Sequence, residues 1–204
     1  MGIDLGSKDK RSTGLCFLEK TSKGELKIET QTITGKNLIK TLTPYFPKIK
    51  VIAIDGPLSI GPGKGKMRLF EKFLSQKRFR QHQIRTLPPA VIPEIVNIGQ
   101  ELISKLDKRG FQINKNLLET SSSILKNVFK KESQRHFSSK DEEDAYYCAY
   151  LAYLHSQKQT FFMGYKDGKL FLPKPSLWQK DWWKLFRQAW VNRHPFKYKH
   201  LFLG

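Results

Sequence analysis

The chain has 204 residues, enough to bury one substantial hydrophobic core but hardly two independent ones. Its 37 Lys and Arg against 18 Asp and Glu give a formal net charge of +19, which favours a polyanionic partner such as nucleic acid, although a solvated lysine-rich surface explains it equally well. Cys16 and Cys148 lack the spacing of a zinc or disulfide motif. Neither a secretory signal nor an apolar run of 18 residues is present, so we expect a cytoplasmic protein without membrane contact.

The first part of the chain alternates short apolar runs with turn-forming residues. The runs GIDLG, LCFLE and LKIETQT predict three strands joined as hairpins within the first 32 residues. A helix is predicted from about Lys36 to Tyr45, and the β-branched run VIAI at 51–54 predicts a buried strand that ends at Asp55. Because residues 56–65 hold four Gly and two Pro, we expect a loop there.

The remainder of the chain is richer in helical patterns, with one hairpin. We predict helices from Met67, from Pro93 to about Lys108, from the serines at 121–123, from about Asp141 to His155, and beyond Pro175, where the helix is rich in Trp. A short strand is predicted at 116–119, and Asp-Gly at 167–168 predicts a tight turn between two strands. The expected fold is an α/β domain over residues 1–173, with a mixed sheet flanked by helices, and a basic, aromatic helical extension over 174–204.

Two aspartates stand at informative places in predicted strands. Asp4 lies between the apolar residues Ile3 and Leu5, so its side chain points to the opposite side from theirs. Asp55 directly follows the buried run VIAI. An acid at such a place is costly to desolvate unless it is paired or bound to a metal, although a hydrogen-bonded aspartate in a turn is the simpler interpretation of either residue alone.

Four consecutive acids, at positions 141–144, begin a predicted helix. The helix dipole favours negative charge at this end by about 0.3 to 1 kcal/mol per group, which is a sufficient structural explanation of the run. Asp141 and Asp144 are three residues apart and share a face that continues into Cys148 and Leu151, so we expect that face to turn toward the core. Glu142 and Glu143 are expected to be solvated.

These segments resemble a known family in their order. GIDLGSKDKRSTG, VIAIDGPLS, LLET and DEEDAYYCAYLAY are similar, over about residues 2–173, to the motifs of a domain-of-unknown-function family of predicted nucleases with the ribonuclease H fold. The Asp-x-x-Asp-Ala helix also resembles that of the RuvC-type Holliday-junction resolvases. The resemblance implies a ribonuclease H-like fold, with Asp4, Asp55, Asp144 and Asp141 as metal ligands and Glu119 as an additional acid.

The chain departs from this family at two places. The acid at Glu119 is followed by TSSS, whereas family members tend to have Pro a few residues later. Family members tend to have, after the Pro-Leu-Ser loop, an Arg followed three residues later by an acid. In this chain these residues are Arg68 and Glu71, and Glu71 stands in place of the commoner Asp. Arg68 is therefore expected to steady either a phosphate or a carboxylate.

A basic segment follows the strand that ends at Asp55. We predict that some of its basic residues contact a nucleic-acid backbone, namely Lys64, Lys66, Arg68, Arg78 and Arg80. A solvated helix face explains the same charges equally well. GPGKGK is not a phosphate-binding P-loop, because Pro62 stands where that motif requires Lys.

The last forty residues concentrate the aromatic side chains, including all four Trp. Trp183, Phe186 and Trp190 fall on one stripe of a helix, and Trp178, Trp182 and Leu185 fall on a neighbouring one. Packing against the sheet is the favoured interpretation, since a stripe at helical spacing is usually core. Stacking on single-stranded bases is the alternative.

The leading hypothesis is a nuclease that uses Mg²⁺ or Mn²⁺ to hydrolyse phosphodiester bonds of DNA or RNA. Such a site needs several hard oxygen ligands, and Asp4, Asp55 and Asp144, completed by Asp141 or Glu119, would supply them. A non-catalytic protein of the same fold that binds nucleic acid or a protein partner is the second hypothesis. An ATP-binding protein related to actin and the sugar kinases is the third, because DLGSKDKRSTG also resembles their phosphate loop; the short chain leaves no room for their second lobe.

Overall fold

In the computed structural model, the described residues are 1–6, 12–34, 38–61, 67–84, 88–129 and 136–204. The fold is built on a five-stranded sheet with the strand order β3-β2-β1-β4-β5. Its strands are β1 (Gly2–Asp4), β2 (Ser12–Lys20), β3 (Leu26–Thr34), β4 (Ile52–Asp55) and β5 (Leu117–Thr120). The first three strands pair antiparallel, whereas β1, β4 and β5 run parallel. The predicted mixed α/β sheet is thereby confirmed.

Helices cover the sheet. They are α1 (Leu38–Leu42), α2 (Leu69–Leu74), α3 (Lys77–Arg80), α4 (Pro93–Asp107), α5 (Ser122–Val128), α6 (Lys140–Ser156) and α7 (Lys180–Val191). The first predicted helix ends early as an α-helix, at Leu42, and continues as a 3₁₀ helix over Thr43–Lys48 with two prolines in it. None of the described helices is both long and apolar enough to cross a membrane.

A second, smaller sheet forms after α6. Its strands β6 (Thr160–Tyr165) and β7 (Gly168–Pro173) make the hairpin predicted from Asp-Gly, with Gly168 at a φ of +148°. A two-residue strand, β8 (Phe202–Leu203), pairs antiparallel with β6. Sequence patterns did not predict this strand, since two residues carry too little periodicity to mark one.

Alternation along the strands divides the apolar core between the two faces of the five-stranded sheet. On one face, Ile3 and Ile54 pack in a cluster with residues of α1 and α4. On the other face, Ala53 and Leu118 pack with α5, α6 and the hairpin. Both cysteines are fully buried in this second cluster, and neither forms a disulfide.

The C-terminal aromatic residues belong to the same cluster as α6. Trp182 and Phe186 of α7 are buried, and their rings lie 5.9 and 6.4 Å from that of Phe79 in α3. Trp183 and Trp190 are half-buried at the edge of the cluster. The favoured packing interpretation therefore accounts for Trp182 and Phe186.

Candidate functional site

Asp4 and Asp55 lie side by side at the carboxyl ends of two parallel strands. Asp4 of β1 and Asp55 of β4 are direct register partners, so both side chains project from the same face of the sheet. Both residues are half-buried. The apolar residues that precede them, Ile3 and Ile54, point to the opposite face, as the alternation in the sequence predicts.

Helix α6 lies unusually close to this sheet face because two strand residues are glycines. A Cβ at Gly2 would lie 2.0 Å from the carbonyl oxygen of Ala145, and a Cβ at Gly14 would lie 2.0 Å from that of Asp141. Gly14 is also the register partner of Asp4 across β1 and β2. The glycines therefore bring the start of α6 directly over the strand ends that carry the two aspartates.

The acids of α6 divide between the site and its surroundings. Asp144 is buried, and Asp141 accepts a hydrogen bond from the hydroxyl of Ser12. Ser139 caps the helix by accepting a hydrogen bond from the Glu142 amide, 3.2 Å away. The predicted solvation of Glu142 is wrong: its side chain is buried and accepts a hydrogen bond from Thr30 of β3 at 2.9 Å.

The charges of the other aspartates act on Asp4. Burial, together with the charges of Asp55, Asp144 and Asp141, raises the pKa of Asp4 from 3.8 to about 8, although the charge of Lys126 acts to lower it. Burial also raises the pKa of Asp55, against hydrogen bonds from Ser122 that lower it. The backbone amide of Ser122 donates to Asp55 Oδ2 at 2.9 Å.

A lysine lies among these acids. Lys126 of α5 places its Nζ 2.6 Å from Asp144 Oδ1 and 2.5 Å from Glu143 Oε2, with a side chain only 20% exposed. Sequence analysis missed this residue, since a single lysine in a short helix looks like any solvated lysine. It also missed Ser12, Gly14 and Ser122, whose roles depend on strand register and on the position of α6.

The donor chemistry of the site fits a divalent cation, because the four aspartates offer hard oxygen ligands of the kind that Mg²⁺ and Mn²⁺ prefer. With the side chains as they stand, the described residues contain no group of three or more His, Cys, Asp or Glu arranged to hold a metal ion. Lys126, Ser122 and Ser12 occupy one oxygen each of Asp144, Asp55 and Asp141. Because each carboxylate has two oxygens and about four lone pairs, these contacts compete with metal–oxygen bonds but do not exclude them.

Glu119 lies apart from the aspartates. Its register partner on β4 is Ile54, whereas Asp55 pairs with Thr120, so the Glu119 side chain points to the sheet face opposite Asp4 and Asp55. There it accepts from Arg68, whose Nη1 and Nη2 lie 2.8 and 2.6 Å from its two oxygens. The structure therefore does not bring Glu119 together with the other predicted site acids.

The guanidinium of Arg68 is enclosed by acceptors of the chain itself. Its side chain is 3% exposed and also bonds Glu71, with Nη2 2.6 Å and Nε 3.0 Å from Oε1, and Ser59 Oγ at 2.8 Å. Burial raises the pKa of Glu119 to about 7, although the Arg68 charge and the Leu58 amide act against it. Of the two roles expected for Arg68, the structure places it with carboxylates.

The other predicted nucleic-acid contacts are placed as follows. Lys64 and Lys66 lie outside the described residues. Arg80 is exposed and Arg78 half-buried, both on α3. The segment after α3 reaches α5, where the Asn127 side chain donates to the His82 carbonyl oxygen at 3.2 Å. These arginines are thus on the same side of the sheet as the carboxylates.

A cavity of about 210 Å³ opens beside Glu119, and its lining includes Ser59, Tyr165 and Lys169 but none of the four aspartates.

No family model, curated protein or solved structure matches the chain. The geometry and the chemistry of the residues therefore carry the functional argument.

Proposed function

We propose that the protein is a divalent-metal-dependent nuclease with a ribonuclease H-like fold that hydrolyses phosphodiester bonds. The observation that carries this proposal is the register pairing of Asp4 with Asp55 at adjacent strand ends, beneath the start of the helix that bears Asp141 and Asp144. The strand order, with three antiparallel strands followed by two parallel ones, supports the finer fold assignment. So does the resemblance of the sequence motifs to a family of predicted nucleases.

In this proposal the four aspartates hold Mg²⁺ or Mn²⁺, with Asp4 and Asp55 from the sheet and Asp144 and Asp141 from α6. The bound ion would supply an activated water and stabilise the leaving oxygen of the cleaved bond. The protein's own contribution is to hold the carboxylates on two rigid strands and one helix, so that their positions are fixed before substrate binds. Glu119 has no direct part, because it faces the other side of the sheet.

The charge of the chain supports nucleic acid as the substrate. A formal charge of +19 favours a polyanion, and α3 presents Arg78 and Arg80 on the same side of the sheet as the acids. Lys64 and Lys66 are further candidate contacts to phosphates. Which nucleic acid is cut is a question for the assay.

The test is a cleavage assay on end-labelled single-stranded DNA, duplex DNA, branched DNA and RNA, with Mg²⁺ or Mn²⁺ and with a chelator. We expect metal-dependent cleavage of at least one substrate, reduced by at least about 100-fold in Asp4→Asn and Asp144→Asn, since even residues behind metal ligands cost about 10- to 100-fold. Asp107→Asn, an exposed acid at the end of α4, is the matched control and should retain full activity.

Three results would argue against the proposal. Cleavage that survives both substitutions would show that another site or a contaminant performs it. Salt-sensitive binding without cleavage of any substrate would instead favour a non-catalytic nucleic-acid-binding protein of the same fold. Binding of ATP measured by calorimetry would favour the actin-like alternative.

A further inference from the structure

Lys126 has an unusual position for a surface-helix lysine. It is one helical turn after Ser122, so both residues lie on the face of α5 that meets the carboxylates. Ser122 donates its backbone amide to Asp55, and Lys126 places its ammonium 2.6 Å from Asp144 Oδ1. The same ammonium is close enough to Asp4 and Asp55 to act on both charges.

We propose that Lys126 is a built-in counter-cation of the carboxylate site, which neutralises Asp144 in the metal-free protein and competes with a divalent cation for that carboxylate. This inference rests on the proposed metal site and adds to it a residue that sets metal affinity. The ammonium, 2.6 Å from Asp144 Oδ1, offsets the charge of this carboxylate and takes up one of its lone pairs, so it lowers the affinity of the site for a divalent cation.

A second acid also holds the ammonium beside the site. Lys126 Nζ is 2.5 Å from Glu143 Oε2 and lies 5.7 Å from the centre of the Tyr147 ring. Glu143 is one third exposed and is not among the four aspartates of the proposed site. Lys126 therefore keeps a partner when a metal ion competes for Asp144, and its charge remains beside the site, where a phosphate oxygen of the substrate is the complementary group.

The experiment is a calorimetric titration of the full-length protein with Mn²⁺ alone, in the absence of nucleic acid. In Lys126→Met, which keeps the length of the side chain and removes its charge, we expect Mn²⁺ to bind about tenfold more tightly than in the wild type, within the usual range of coupled binding. Lys126→Arg keeps the charge and pairs well with carboxylates, so its affinity should not exceed that of the wild type.

Lys105→Met is the matched control. Lys105 forms an exposed pair with Glu101 on α4, on the other side of the sheet, so this variant makes the same change of net charge without touching the site. Its Mn²⁺ affinity should stay at the wild-type value. If Lys126→Met does not fold, Lys126→Gln serves in its place with the same expected gain.

The outcomes separate this inference from the proposed function. Equal or weaker Mn²⁺ binding in Lys126→Met than in the wild type would overturn the inference and leave the metal site intact. Failure of every variant to bind Mn²⁺ would overturn both. A gain in affinity in a protein that cleaves no substrate would support the counter-cation and remove the nuclease.

Discussion

Folding raises the pKa of the Asp4 carboxyl group. Burial and three neighbouring carboxylates raise its pKa to about 8, so the folded protein retains a proton that the unfolded chain, with a pKa of 3.8, has released. Between about pH 4 and pH 8 the folded state therefore binds more protons than the unfolded state, and stability falls as pH rises through this window. Above about pH 8 the loss is complete.

Asp4→Asn should remove this penalty. Measured by urea unfolding with a chelator present, we expect the variant to be more stable than the wild type by at least about 1 kcal/mol near pH 8, because one pKa unit corresponds to about 1.4 kcal/mol. The difference should shrink as pH falls toward 4. A variant that is less stable than the wild type near pH 8 would show that the aspartates do not repel one another as described.

Arg68 makes the opposite contribution, since it compensates two buried acids. Arg68→Met removes the guanidinium that Glu71 and Glu119 share, and we expect it to lower the free energy of unfolding by about 3 to 5 kcal/mol. Adding Glu119→Gln should recover part of this loss in a double-mutant cycle. Additive effects of the two substitutions would contradict the pairing.

The predictability of the site differs from residue to residue. Asp4 and Asp55 became candidates because acids next to apolar runs are conspicuous, and Asp141 and Asp144 because they share a helix face that continues into apolar residues. Glu119 shows the limit of such reasoning: a strand was predicted there, but a shift of one residue in register decides which face a side chain occupies. Because Thr120 is the partner of Asp55, Glu119 faces away.

At the scale of elements, the approach of α6 to the sheet is what assembles the site. Gly14→Ala would put a Cβ 2.0 Å from the Asp141 carbonyl oxygen and force the helix away from β2. We expect a loss of about 1 to 3 kcal/mol in the free energy of unfolding, as for other overpacked sites, together with weaker Mn²⁺ binding.

Gly110→Ala is the control for this variant. A Cβ there meets no atom within 4 Å, but the φ of +86° costs about 1 to 2 kcal/mol in backbone strain. It should therefore lower stability and leave Mn²⁺ binding unchanged. If Gly14→Ala also binds Mn²⁺ with the wild-type affinity, the close helix contact is not required for the site.

Elements with strong local signals were predicted well, and those defined by distant contacts were not. The hairpin strands, the buried strand β4 and helices α4 and α6 follow from periodicity and capping residues near in sequence. Strand β8 forms by pairing with β6, some forty residues earlier in the chain, and the order of β1, β4 and β5 depends on similar long-range contacts. Neither has a local signature.

At the scale of the whole molecule, the positive charge should act mainly on nucleic-acid binding. Replacing Arg78 and Arg80 by Glu should weaken binding and reduce the salt dependence of the association constant, since each lost phosphate contact lowers the log–log slope by about 1. Filter binding over a range of salt concentrations measures this slope.

The matched control reverses two charges on the other side of the sheet. Lys105→Glu with Lys108→Glu changes the net charge equally but lies at the exposed end of α4. Its salt slope should stay close to that of the wild type. Equal losses in the two double variants would mean that binding follows net charge alone and that α3 has no particular role.

The convergence of the four aspartates on a metal ion is tested most directly by the structure of a crystal soaked in Mn²⁺, with anomalous scattering to locate the ion. We expect Mn²⁺ bound to carboxylate oxygens of Asp4, Asp55 and Asp144, with Lys126 still paired with Glu143 and its contact to Asp144 weakened. Mn²⁺ bound elsewhere, or no ion beside these aspartates, would contradict the proposed metal site.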